Sequence, residues 1–130
     1  MKRKKRNNGS VLLMVIFAIA LLSALVTGML QINTEELQLM QNQVYAAKAL
    51  AIAEAGLNDA FKELRTNSSW NAGFTDKAFE DGSYSVDING STVTSTGISS
   101  QGYTARVEAD ITISSTSPYI IRIDNFRINE

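Results

Sequence analysis

Acid and base chemistry needs groups that titrate, and this sequence contains few arranged for it. It has no histidine and no cysteine. A thiol nucleophile, a disulfide framework, a structural zinc site and the usual activating base for serine are therefore all excluded. Glu80-Asp81 are paired carboxylates, but adjacent in a turn-like stretch they read as solvated side chains. Asp76, Glu80, Asp81 and Asp87 carry oxygen ligands suited to calcium, without the spacing of a calcium loop. Asn67-Ser68-Ser69 and Asn89-Gly90-Ser91 fit the glycosylation triplet, and no glycine-rich phosphate loop is present. Glu54, inside "AEAGL", reads as a helix-surface charge or an internal hydrogen-bond partner. The expectation is a protein that is not an enzyme and uses no cofactor or metal. One bond is a candidate for chemistry done to the chain: Gly9-Ser10, after the basic run Lys2-Arg3-Lys4-Lys5-Arg6 and before an apolar stretch.

That bond has to be presented by the element that follows it. No charged residue occurs from Asn7 to Thr34. Ser10 to Leu30 as a helix would span about 32 Å, close to the roughly 30 Å of a bilayer core. With the basic run before it and Glu35-Glu36 after it, the positive-inside rule puts the N-terminus in the cytoplasm and the remainder outside. Outside the basic run, seven basic residues face thirteen acidic ones. Such a body is a poor partner for a phosphate backbone, and no nucleic acid is expected.

Three readings of the opening stretch compete. A secretory signal peptide would be cut near Val26-Thr27-Gly28, although its apolar core usually runs only about 7–15 residues. A plain signal anchor needs only the apolar length. In the third, a short basic leader ending at Gly9 is removed and the apolar run stays on the mature chain from Ser10.

Beyond the apolar run the sequence has no proline, and one glycine, as far as Arg65. Leu37, Met40, Val44, Ala47, Ala51, Leu57, Phe61 and Leu64 recur at helical spacing. The pattern predicts one helix from Ser10 to about Arg65, roughly 84 Å long. Asn33 or Thr34 resembles a cap, but the apolar helix before it makes this a continuation. Gly28 is either tolerated in the span or a place where the helix melts, since Gly weakens a helix by about 1 kcal/mol relative to Ala. Residues 66–82 read as a loop anchored by Trp70, Phe74 and Phe79. Four strands are expected over 83–128, with a hairpin at Asn89-Gly90, inward-facing Tyr103, Ala105, Val107, Ala109, Ile111 and Ile113, a turn at Ser115 to Pro118, and a bulge near Asp124-Asn125. The fold class is α+β: a long N-terminal helix whose far end covers a four-stranded antiparallel meander. The expected division is a leader at 1–9, a membrane and assembly segment at 10–33, and a globular part at 34–130.

"NNGSVLLMVIFAIALLSALV" followed by "NTEELQLMQNQVYAAKALAIAEAGLNDAF" resembles the type IV pilin-like proteins, most closely the PilX-type minor pilins and pseudopilins. The matching pieces are the Gly9-terminated leader, Thr34-Glu35-Glu36-Leu37 and Ala53-Glu54-Ala55-Gly56-Leu57, in that order, over Met1 to Leu64. The resemblance implies cleavage after Gly9 by a prepilin peptidase and methylation of the new amine on Ser10. It implies a subunit held in the bacterial inner membrane, N-terminus in, and then assembled into an extracytoplasmic filament of a pilus or a type II secretion-like machine. Assembly would run through the apolar residues Val11, Leu12, Leu13, Met14, Val15, Ile16 and Phe17, packed first against lipid and then against other pilin subunits. Two positions depart from the family. Major pilins carry Glu at the fifth residue after the cut, where this chain has Met14, as in an initiating or tip subunit. Ser10 stands where Phe is usual. The alternative is a bitopic, signal-anchored protein whose small β-domain binds an envelope or extracellular ligand. The serine- and threonine-rich turns from Gly97 to Gly102 are candidates for contact.

Overall fold

In the computed structural model, which describes residues 8–129, helix α1 runs unbroken from Asn8 to Thr66, 59 residues. The basic run and residues 1–7 of the expected leader lie outside the described residues. The chain falls into two units, Met1–Met40 and Gln41–Glu130, and each is taken by itself.

In the first unit α1 is apolar on every side from Val11 to Leu30, and its side chains are exposed from Ser10 to Met40. Its hydroxyls are satisfied within the helix: Ser23 Oγ donates to the Ile19 carbonyl at 2.8 Å, Thr27 Oγ1 to Ser23 at 2.8 Å and Thr34 Oγ1 to Leu30 at 2.9 Å. Hydroxyls bonded in this way carry no unmet hydrogen-bond demand into an apolar medium. The Thr34 bond also shows that the helix continues through Asn33-Thr34 without a cap. At Gly28 the helix is intact.

In the second unit α1 lies on a five-stranded antiparallel meander, β1 (Phe74–Phe79), β2 (Gly82–Asn89), β3 (Thr92–Ile98), β4 (Thr104–Ile113) and β5 (Ile121–Asn129), in the order β1-β2-β3-β4-β5. The class is α+β, as the sequence predicts, with one strand more than expected. The extra strand, β1, lies in the stretch read as a loop. It is an edge strand with a register shift between Phe74 and Lys77, and every residue after Phe74 is exposed. An exposed, bulged strand has no inside-outside alternation to read. Its aromatic anchors are where they were expected: Trp70 to Phe74 at 5.1 Å, Phe74 to Tyr84 at 5.9 Å and Phe79 to Tyr84 at 6.2 Å between ring centroids.

Two further details differ. The β2-β3 loop is Gly90-Ser91 rather than Asn89-Gly90, because Asn89 pairs with Thr92 as the last ladder pair. Only Gly90 has positive φ (62°), which fits a two-residue turn taking glycine at its first central position. The buried face of α1 is Ala49, Ile52, Ala53, Gly56, Leu57, Ala60, Phe61 and Leu64; Ala47 and Ala51 are exposed, as are Leu37, Met40 and Val44. Between Ala46 and Ala55 alanine occurs on every side of the helix, so spacing alone does not give the phase.

Strand β4 alternates as expected, burying Ala105, Val107, Ala109 and Ile111, with Tyr103 and Ile113 only partly buried. The bulge in β5 falls at Asp124, the extra residue between the pairs Asp110-Asn125 and Ile111-Ile123. On the opposite face, Arg127 bridges Glu108 (3.2 Å) and Asp110 (3.3 Å), and Thr92 Oγ1 donates to Asp110 at 2.7 Å. The helix covers the middle of the sheet but not its β5 side. Ile123, Phe126 and Ile128 are paired beside Ile111, Ala109 and Val107, yet remain 49%, 43% and 46% exposed.

Contact between α1 and the sheet is backbone-close. A Cβ added at Gly97 would lie 2.3 Å from the Ala49 carbonyl oxygen and 2.4 Å from the Ala53 nitrogen, and one at Gly56 would lie 2.7 Å from the Tyr84 ring and 2.4 Å from Ser95 Oγ. Ser95 is fully buried there and its hydroxyl has no hydrogen-bond partner among the described residues. Gly97→Ala must therefore push a helix off a sheet, and we expect a loss of about 3 kcal/mol. Gly90→Ala, with nothing within 4 Å but a positive φ, should cost about 1 kcal/mol. Ser95→Ala should leave stability unchanged or raised, because it removes an unmet polar group. Thermal unfolding of the detergent-solubilised chain, followed by near-ultraviolet circular dichroism, would rank the three.

Candidate functional site

The residues singled out by the sequence begin at the Gly9-Ser10 bond, which lies in the first turn of α1. The first four amide groups of a helix have no partner inside it, and Gly is a poor helix former. At this end of the 59-residue helix the backbone costs less to open than in the interior. Among the described residues, nothing lies within 4 Å of a Cβ built at Gly9.

Val11, Leu12, Leu13, Met14, Val15, Ile16 and Phe17 follow on consecutive positions of α1, 62%, 62%, 71%, 73%, 49%, 56% and 68% exposed. They are contiguous with Ile19, Leu22, Leu25 and Met29, so the apolar surface encircles the helix instead of forming a stripe. Among the described residues, α1 is the one helix long and apolar enough to cross a membrane. A surface of this kind is stable only when lipid or other apolar side chains cover it.

The "AEAGL" residues take separate places. Ala53 and Gly56 are the positions of close approach to β3 and β2, Leu57 enters the core, and Glu54 is exposed. The motif in this chain is the surface by which the helix holds its sheet. Gly97, in the segment proposed for contacts, is buried under α1, and Ser99 is buried with its Oγ accepting from the Tyr103 amide at 3.2 Å. Ser100 to Gly102 are exposed.

The acidic residues considered for calcium are dispersed, and among the described residues no three acidic side chains converge. Asp76 sits in the β1 bulge with positive φ (44°), Glu80-Asp81 form the β1-β2 turn, and Asp87 is on β2. Asp81 accepts from Ser100 Oγ at 3.0 Å and pairs with Lys48 at 3.4 Å, and these partners, Ser100 first, hold its carboxyl below the ordinary value. This ties α1 to two turns.

The tightest titratable cluster was not foreseen. Asp59 of α1 accepts from Lys77 of β1 and, at 2.6 Å, from the Tyr84 hydroxyl of β2. The Lys77 ammonium also lies 4.3 Å from the Phe74 ring centroid. The lysine bond first, then the tyrosine bond, lowers the Asp59 carboxyl; the same pairing raises Lys77, and burial raises Tyr84. A lysine held protonated beside an ionised carboxylate is a poor base or nucleophile. The cluster's work is to fasten β1 to the helix. One sign was available in the sequence: Asp59 lies two residues before the buried Phe61 and beside Ala60, near the core face.

No protein-family model matches the chain, and neither does any curated protein or any solved structure.

The cluster gives a pH dependence. Asp59 is depressed below its ordinary 3.8, so its contribution is present above that value and is lost as pH falls through the lowered one. Lys77 is raised above its ordinary 10.5, so its contribution is present below that value and is lost as pH rises through the higher one. Lys77 is 46% exposed, which limits the pair to about 1 kcal/mol. Asp59→Asn should therefore lower stability at neutral pH by about 1 kcal/mol and flatten both the acid and the alkaline limbs. Denaturant unfolding at a series of pH values reads both.

Proposed function

We propose that the chain is a non-enzymatic filament subunit, a minor pilin or pseudopilin of a type IV pilus-like or type II secretion-like assembly. The observation that carries this reading is the unbroken helix Asn8–Thr66, which has Gly9 in its first turn, exposes apolar side chains all round over its first half, and ends as the cover of a sheet. A membrane anchor needs only its span, and a soluble domain needs only its core. One continuous helix shared between the two jobs suits a protein that leaves the bilayer for a bundle of like helices.

In this reading a prepilin peptidase removes the residues up to Gly9, and the Ser10 amine becomes the methylated N-terminus. The protein then waits in the inner membrane, cytoplasmic end in, before entering the filament. Each buried side chain of Leu size contributes about 1.5–3 kcal/mol, so the apolar segment supplies enough affinity by itself. Met14 lets the subunit join without a buried carboxylate that would need the amine of a neighbour. That suits a tip or initiating position. The uncovered strip Ile123, Phe126 and Ile128 on β5 is a second apolar surface that a packed subunit would hide.

Intact mass and N-terminal sequencing of the membrane-extracted chain, with and without a co-expressed prepilin peptidase, test the reading. The expected outcome is a peptidase-dependent start at Ser10. Gly9→Leu should abolish it. An intact start in both samples would favour the signal-anchored alternative, and a start near Met29 a secreted domain.

A further inference from the structure

Where α1 ends, the 67–73 loop and the β2-β3 turn enclose a cleft of about 470 Å³, within the usual range for small-molecule sites. Its floor is apolar: Leu64 of α1, Ile88 of β2, and Ile111 and Ile113 of β4. Trp70 forms one wall, braced by Phe74 at 5.1 Å. Ser68, Ser69, Asn71, Asn89 and Ser91 complete the lining, and no charged residue takes part, in a chain of which 19% is charged.

Both rims are held at several points by backbone hydrogen bonds. Asn67 N donates to the Glu63 carbonyl at 2.8 Å, Trp70 N to Asn67 at 3.0 Å, and Ile111 N to the Ser91 carbonyl at 2.8 Å. The Asn67 side-chain oxygen accepts from Ser69 N at 3.0 Å. The rim side chains of Ser69, Asn71, Asn89 and Ser91 are exposed and that of Ser68 is half-buried, and all five are neutral hydrogen-bonding groups open to a ligand or to water. On the opposite face of the sheet the polar side chains bond to one another instead. A frame held at these points carries neutral hydrogen-bonding groups around an apolar floor and an aromatic wall, the mixture common in small-molecule sites.

We propose that this cleft binds a neutral saccharide. Serine hydroxyls and asparagine amides donate and accept alike, as sugar hydroxyls do. A pyranose ring also has an apolar C–H face to lay on Trp70 and the isoleucine floor. A phosphate or carboxylate ligand would find no cation in the lining, and a purely apolar ligand would make no use of the neutral polar rim. A peptide added as a strand needs a free sheet edge, but β2, β3 and β4 are each paired on both sides. The proposal does not rest on the filament reading.

Trp70 is the sole tryptophan, so its fluorescence reports on the cleft directly. The full chain, held in lauryldimethylamine oxide micelles to keep glycoside detergents away, would be titrated with N,N′-diacetylchitobiose, cellobiose and maltose. 3′-Sialyllactose and trialanine amide serve as charged and peptide comparators. The expected result is a saturable change in Trp70 emission with at least one neutral disaccharide and none with the comparators. Calorimetry with that disaccharide should show binding weakened about tenfold in Ser69→Ala/Asn71→Ala, with unchanged thermal stability, and lost in Trp70→Ala. The proposal is overturned if no neutral disaccharide gives a saturable change below about 50 mM, if a comparator binds more tightly, or if the folded double variant binds as tightly as the parent.

Discussion

Everything in the second unit depends on two backbones lying closer than side chains normally allow. Gly97 on β3 faces the Ala49 carbonyl and the Ala53 amide of α1, and Gly56 on α1 faces Tyr84 and Ser95. With no Cβ on either glycine, the helix sinks onto the strands, and Ile52, Leu57, Phe61 and Leu64 reach the valines and isoleucines of β2, β3 and β4. The same closeness buries the Ser95 hydroxyl, which has no partner among the described residues. A modest core without disulfides is stabilised here by tight packing, so the small residues of "AIAEAGL" matter as much as the large ones.

A helix so committed at one end can be uncommitted at the other. Before Met40 it has no core to serve, and as far as Leu30 its composition suits an apolar medium: no charge, hydroxyls folded back on their own carbonyls, apolar side chains on every side. After Gln41 the polar groups engage in specific pairs. Tyr103 donates to Asn42 at 2.5 Å and packs against Tyr45 at 5.7 Å; Lys48 meets Asp81; Asp59 meets Lys77 and Tyr84. These contacts lie along the rim of the helix-sheet interface and fix turns and the edge strand, leaving burial to supply most of the stability.

What was hard to read in the sequence was hard for identifiable reasons. β1 is exposed from Thr75 onward and bulged at Asp76, so it has no alternation, and its attachment through Lys77 and Phe74 is visible only once α1 and β2 are beside it. The alanines between Ala46 and Ala55 allow several helical phases, and the position of Gly97 selects the one in which Ala49 and Ala53 face inward. The neutral cleft gathers Leu64, Trp70, Asn89 and Ile113, widely separated in the chain, and no local motif announces such a set.

The sequence by itself determined what depends on neighbours along the chain: the uncharged span, the long helix, the hairpins of an antiparallel meander, the strict alternation of β4, and the glycine before the apolar run. These follow from periodicity, turn chemistry and the cost of placing charge in an apolar medium. The tertiary structure alone decided the fifth strand, the phase of the buried helix face, the Asp59-Lys77-Tyr84 fastening, the uncovered apolar side of β5 and the cleft beside Trp70. Each of these requires groups distant in sequence to meet, and which of them meet is set by how closely two glycine-lined backbones pack.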